Sequence, residues 1–270
     1  MTDANAERAA EFVNAGLERR EARWLVEEFG DDDDALRESV QRRLSGEPLQ
    51  YVIGHWPFRS LDLDVDERVL IPRPESEELV EIALKELRRG EVSEPLIMDL
   101  GCGSGAIGLA LLDELRGRGV AATLVAVDES LDALELAQRN ARKHGLDNVA
   151  FVHSSWFDDV DPSLRERVDL IVANPPYVGD VEFGGLDPVL RHEPRGAMVA
   201  PDALGVTGFA DLAIIIEQAT AWLKPGGILV CEHANTHRDA VLAAAKIAGF
   251  HQVNDLDDLA GLPRIMVAQR

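Results

Sequence analysis

The chain has 270 residues, 46% hydrophobic and 28% charged, a globular composition that supplies a sizeable core and excludes wholesale disorder. Two cysteines exclude a disulfide scaffold. With 27 Lys and Arg against 49 Asp and Glu the formal charge is -22, which disfavours broad binding to nucleic acid or to an anionic membrane.

The opening MTDANAERAAEF carries acids and no apolar core, so no signal peptide is expected. No run of about 18 apolar residues marks a membrane span, and a cytoplasmic location is the expectation. Ala9, Phe12, Val13, Leu17, Trp24, Leu25, Val26 and Phe29 recur at helical spacing among charges. The run Asp31 to Asp34 suits the start of a third helix through Leu36, Val40 and Leu44. Residues 1–48 thus read as a small helical domain. Tyr51 to Phe58, then Leu61 to Asp66 alternating apolar and acidic, predict a β-hairpin within a linker over 49–70. Residues 71–270 form the main domain, where Arg73-Pro74-Glu75-Ser76 opens an amphipathic helix through Leu87 with proline in its first turn.

From Leu96 short apolar runs at 96–100, 123–128, 149–153, 168–174, 226–233, 249–254 and 264–269 alternate with helical patterns. One such pattern, 130–145, is capped by Ser130. This rhythm predicts an α/β fold, a doubly wound and mostly parallel sheet covered on both faces. Cys102 and Cys231 sit in or beside strands and read as small buried residues in a reducing compartment.

Asp99-Leu100-Gly101-Cys102-Gly103-Ser104-Gly105 follows the first of these strands and opens a helix. Glycines let the backbone turn sharply and approach a ligand, and a helix N-terminus favours an electronegative group. Gly101, Gly103 and Ala106 also satisfy the dinucleotide fingerprint, so the turn alone indicates a nucleoside-containing ligand without choosing between a nicotinamide enzyme and a methyltransferase. Asp128 ends the next strand, where a carboxylate can accept both hydroxyls of a ribose or simply cap the helix that follows.

Asn174-Pro175-Pro176-Tyr177 ends the fourth strand, at the edge where open parallel sheets form their ligand crevice. The two prolines fix the backbone and remove two N–H groups, leaving carbonyl acceptors beside an Asn side chain and an aromatic ring. Such a turn suits a planar NH2 group. The pairing of DLGCGSG with NPPY resembles the class I S-adenosylmethionine methyltransferases that act on planar NH2 nitrogens of adenine, guanine or glutamine. The segments GEPLQYVIGHWPFRSLDLDVDERVLIPRPESEELVE, HSSWF, HEPRGAMVAPDALG and LKPGGILVCEH are similar to the HemK/PrmC family, the glutamine methyltransferases of peptide chain release factors.

That resemblance covers the chain from about Leu44 onward, and it implies S-adenosyl-L-methionine as cofactor and a release factor carrying a Gly-Gly-Gln loop as partner. A monomer is expected, because a helical domain and a main domain joined by a hairpin would make a cleft for such a loop. It implies that Asp99, Gly101, Cys102, Gly103, Ser104 and Gly105 form the cofactor turn, Asp128 holds the ribose and Trp156 lies against the adenine. It further implies that Asn174, Pro175, Pro176 and Tyr177 bind the substrate glutamine, Asn174 also bordering the cofactor, with Arg73 beside the pocket. The helical region before Gly46 is shorter than is typical of the family, and it is the part associated with partner recognition. A glutamine of a ribosomal or other protein is the alternative substrate, and a nucleic-acid amine a more distant one. His192 and His233 lack metal-ligand spacing and read as structural or rim residues, so no metal is expected. Trp24 and Trp222 read as core or interface aromatics.

Overall fold

The computed structural model describes residues 3–270. Three helices come first, α1 (Asp3–Asn14), α2 (Arg19–Phe29) and α3 (Asp33–Leu44). The aspartate run acts as a helix start: Asp32 accepts from the backbone of Asp34 and Ala35 at 3.0 and 3.1 Å. Leu25 and Val26 of α2 meet Leu36 and Val40 of α3 in a separate core, which Leu49 and Val52 of a short helix α4 (Leu49–Ile53) complete.

Helix α4 corrects the expectation of strand from Tyr51 onward. Tyr51-Val52-Ile53 favours strand by residue type, yet Pro48 starts a helical turn and Gly54, at φ 85°, ends it. The hairpin is therefore confined to β1 (His55–Phe58) and β2 (Leu61–Asp64). Its alternation puts Leu61 and Leu63 into the main core, while Asp62 and Asp64 both reach Lys143 at 2.8 Å.

The main body follows as α5 (Pro74–Arg89), β3 (Leu96–Leu100), α6 (Ala106–Gly117), β4 (Thr123–Asp128), α7 (Leu131–Lys143), β5 (Val149–His153) and β6 (Val168–Ala173). It continues as α8 (Asp180–Phe183), α9 (Ala210–Ala219), β7 (Leu223–Glu232), α10 (Arg238–Ile247), β8 (Gln252–Asp257) and β9 (Pro263–Gln269). The seven strands order as β5-β4-β3-β6-β7-β9-β8, parallel except for β9, which runs antiparallel to both neighbours. The final strand pair lies slightly later than expected at its first member, because Gly249, at φ 93°, and buried Phe250 still belong to the turn after α10.

Alternate residues of each strand serve opposite cores. Ile97, Leu124, Leu170 and Val230 pack under α5, α6 and α7, whereas Met98, Val125, Ile171 and Leu229 pack under α9 and α10 with Phe209 and Trp222. Each such side chain removed from water stabilises the fold by about 1.5–3 kcal/mol. Cys102 and Cys231 are both buried free thiols.

Candidate functional site

The register sets the strand ends level. Leu100 of β3 pairs with Val127 of β4 and Ala173 of β6, and Ala173 pairs with Cys231 of β7. Gly101, Asp128, Asn174 and Glu232 therefore leave one edge of the sheet side by side, across the point between β3 and β6 where strand order reverses.

A cavity of about 400 Å³ opens along this edge. Gly101, Cys102, Gly103 and Ser104 form one wall. Asp128, Trp156, Asn174, Pro176 and Arg73 also face it. Four expected residues do not line the cavity itself. Asp99 is buried on β3 and accepts from the Gly108 N–H at 2.9 Å, and Gly105 caps α6 with its Cα turned toward Leu109. Pro175 is buried, and Tyr177 turns its hydroxyl inward to Glu232 at 3.1 Å.

The turn after β3 is held from two sides. The amides of Gly101 and Cys102 donate to the Val127 carbonyl, each at 2.9 Å, and Gly103 N–H donates to Asp128 at 2.8 Å. The second Asp128 oxygen accepts from Ser130 N–H at 2.9 Å, so one carboxylate joins the glycine turn to the start of α7. Burial pushes the Asp128 carboxyl up, and these backbone donors pull it back. Burial also lifts the Cys102 thiol well above its ordinary range.

Around the NPPY turn the polar atoms form a chain. The Nδ2 of Asn174 donates to Ser76 Oγ at 3.1 Å, Ser76 donates to Glu232 at 2.9 Å, and Tyr177 donates to the other Glu232 oxygen. Glu232 is 1% exposed, and burial pushes its carboxyl up while both hydroxyls and Arg264 pull it down. Arg73 pairs with Glu193 at 2.5 Å, and Glu193 also accepts from Ile71 N–H, which fastens the loop before Pro194 to the segment that leads into α5. Trp156 donates to Asp211 at 3.2 Å and takes φ 47° to lay its ring over Gly101.

Residues 93–259 match a methyltransferase-domain family model. The chain is 40% identical over 231 residues to the release factor glutamine methyltransferase of Coxiella burnetii, which spans 86% of this chain and 78% of that protein. The chain belongs to the release factor glutamine methyltransferase family. The Haemophilus influenzae relative of the same name is 41% identical over 249 residues, spanning 87% of this chain and 82% of that one. Among solved structures, a methyltransferase from Pyrococcus furiosus superposes with a TM-score of 0.55 at 14% identity, over 85% of this chain and 96% of that one. A ribosomal protein L11 methylase from Lactobacillus delbrueckii subsp. bulgaricus gives 0.52 at 21% identity, over 76% and 83%. These two share the fold.

Membership makes the chain an S-adenosylmethionine-dependent methyltransferase, as the glycine-rich turn and NPPY together led one to expect. The residues present fit that cofactor. A Cβ added at Gly103 (φ 54°) meets nothing within 4 Å and points into open cavity, while one at Gly101 meets the Trp156 ring at 3.4 Å. The turn is thus bare backbone where a ligand approaches, with an aromatic face and an acidic group at hand.

Sequence reasoning passed over Ser76, Glu193, Glu232 and Asp211. For Glu232 a signal existed: a carboxylate directly after the apolar run of a central strand, at the crevice edge. His233 is fully buried between the Ala234 carbonyl and Asp255, and His192 is exposed. Among the described residues no group of three or more His, Cys, Asp or Glu side chains is placed to hold a metal. No helix is long and apolar enough to cross a membrane among those residues.

Asp99 carries a consequence for stability. Burial raises its carboxyl to about 7, and one of its oxygens has no hydrogen-bond partner. The unfolded chain ionises this group near about pH 4. Between about pH 4 and 7 the folded state keeps a proton that the unfolded state has released, so the fold loses stability as pH rises through that window. The Asp99→Asn variant lacks this loss. Urea unfolding from about pH 5 to about pH 8 is expected to show its stability advantage over wild type widening up to pH 7 and then holding constant. Parallel pH profiles for the two proteins would refute the assignment.

Proposed function

We propose that this chain transfers a methyl group to the side-chain amide nitrogen of the glutamine in the Gly-Gly-Gln loop of peptide chain release factors. The observation that carries the reading is the NPPY turn, set at the end of β6 beside the bare glycine turn, with the amide nitrogen of Asn174 already engaged by Ser76. Its carbonyl oxygen is left to accept from an incoming NH2 group.

Bound S-adenosyl-L-methionine supplies an electrophilic methyl group on a sulfonium. Gly101 to Ser104 would hold its methionine end, Asp128 its ribose and Trp156 its adenine. An amide nitrogen is a poor nucleophile, because its lone pair is delocalised into the carbonyl. What the protein contributes is therefore position and dipoles. The Asn174 Oδ1 and the Pro175 carbonyl would accept the two amide hydrogens and hold the nitrogen in line. Positive charge that develops on nitrogen strengthens both bonds, which places their effect in the transition state. The anchored Tyr177 ring would cover the amide plane and exclude water.

The test is methyl transfer from labelled S-adenosylmethionine to a purified cognate release factor, beside a release factor whose Gly-Gly-Gln glutamine is replaced. Label on the first and none on the second is the expected result. With cofactor binding demonstrated, an unlabelled intact release factor would shift the substrate to another protein glutamine.

A further inference from the structure

The hydrogen-bond chain behind the NPPY turn has a direction that the hydrogens themselves impose. A serine hydroxyl has one hydrogen to give and lone pairs to accept. Ser76 gives that hydrogen to one Glu232 oxygen at 2.9 Å, while the other Glu232 oxygen takes the Tyr177 hydroxyl, so both carboxylate oxygens act as acceptors. Toward Asn174, 3.1 Å away, Ser76 can then act only as an acceptor. The side chain facing it must present its NH2 group, and the carbonyl oxygen faces the other way.

We infer that Glu232 and Ser76 are positioning residues, which turn the carbonyl oxygen of Asn174 toward the amide that is to be methylated. The inference rests on the functional reading above and deepens it. Without the relay, the two ends of the Asn174 amide are nearly the same size, and nothing in their shape selects one of them. An NH2 group turned toward the cavity would oppose the substrate's own NH2 group. Tyr177 shares the second Glu232 oxygen, so the same buried carboxylate also sets the position of the ring. Glu232 stands on β7, Ser76 in the first turn of α5 and Asn174 at the end of β6, so three elements converge on one amide. A buried carboxylate with both oxygens engaged is costly to place in a core, and here each engagement fixes a side chain of the NPPY turn.

Three variants separate positioning from proton transfer and from mere packing. Ser76→Ala removes the acceptor, and Glu232→Leu frees the serine hydrogen to point at Asn174. Both are expected to lower kcat about tenfold, the equivalent of one net hydrogen bond, while the Kd for S-adenosylhomocysteine stays within about twofold. Glu232→Gln can still accept from Ser76 with its carbonyl and donate to the Tyr177 oxygen with its amide, so it is expected to keep kcat within about threefold of wild type. The side-chain NH2 of Asn174, followed by 15N NMR in the protein without substrate, is expected to exchange slowly in wild type and Glu232→Gln and fast in the other two.

Wild-type kcat in Ser76→Ala, or Glu232→Gln as impaired as Glu232→Leu, overturns the inference; the second result makes Glu232 a proton acceptor instead. Equal Asn174 exchange in all four proteins overturns it as well. The exchange measurement needs no substrate, so it decides the inference even where wild type methylates no release factor, an outcome that overturns the functional reading alone.

Discussion

Replacing Asn174 by alanine is expected to lower the rate of methyl transfer about a hundredfold or more, with a far smaller loss of S-adenosylhomocysteine affinity. The side chain is placed to accept a bond that strengthens as nitrogen gains positive charge, and such bonds act mainly on the transition state. The variant also leaves Ser76 without a donor, but the serine keeps its bond to Glu232, so the fold should lose little. Single-turnover transfer to a release factor, set beside a cofactor titration, separates the two effects. A variant with wild-type chemistry and weakened cofactor binding would remove Asn174 from its assigned role.

Gly208→Ala should be the most damaging of the small substitutions near the site. Gly208 takes φ 66°, and a Cβ there would stand 2.5 Å from the Tyr177 carbonyl oxygen, 2.9 Å from its carbon and 3.0 Å from the Gly179 nitrogen. All three are backbone atoms, with no flexible end to swing aside. The segment they belong to is fastened by Tyr177 and Val178 N–H bonds to the Met198 carbonyl at 3.1 and 2.9 Å. Left-handed strain of about 1–2 kcal/mol joins an overpacking cost of about 1–3 kcal/mol, so a loss of about 2–5 kcal/mol in urea unfolding is expected. Transfer should fall with it, because the displaced atoms are those of the NPPY turn. Gly103→Ala serves as the contrast: the same left-handed strain without a clash, since its Cβ meets nothing within 4 Å. That variant should be the more stable of the two and should lose cofactor binding, because the methyl enters the cradle. A Gly208→Ala protein as stable as Gly103→Ala would show that the close approach is relieved at no cost.

The two variants mark what a one-dimensional reading can and cannot reach. Gly103 stands out in the sequence, because its turn lies between a strand and a helix and carries the pattern by itself. Gly208 does not, because its constraint comes from Tyr177, which only the fold brings near. The strands of the main sheet were visible as apolar runs except the polar β8, whose predicted run lies three residues early, and so were the Ser130 cap and the helix start in the aspartate run, since these are local decisions. Tyr51 to Ile53 misled because residue type favoured strand while Pro48 and Gly54, just outside, dictated a helical turn. Asn174 was legible from its neighbours in sequence, and the group that orients it was not. Arg73 was expected beside the pocket and is found there, but its partner Glu193 lies 120 residues away and no spacing rule connects them.

The separation of those partners along the chain says when the site comes into being. Ser76 and Glu232 lie 156 residues apart, and Asn174 lies 98 from Ser76, so the relay closes only after β7 has joined β6. The three N-terminal helices meet through short-range contacts and can form early on a growing chain. A nascent polypeptide that has emerged past Tyr177 but not yet through β7 already carries the glycine turn, Asp128 and the NPPY turn, yet it lacks the Glu232 that orients Asn174. Competence for the reaction thus arrives late in synthesis, with the strand that brings Glu232.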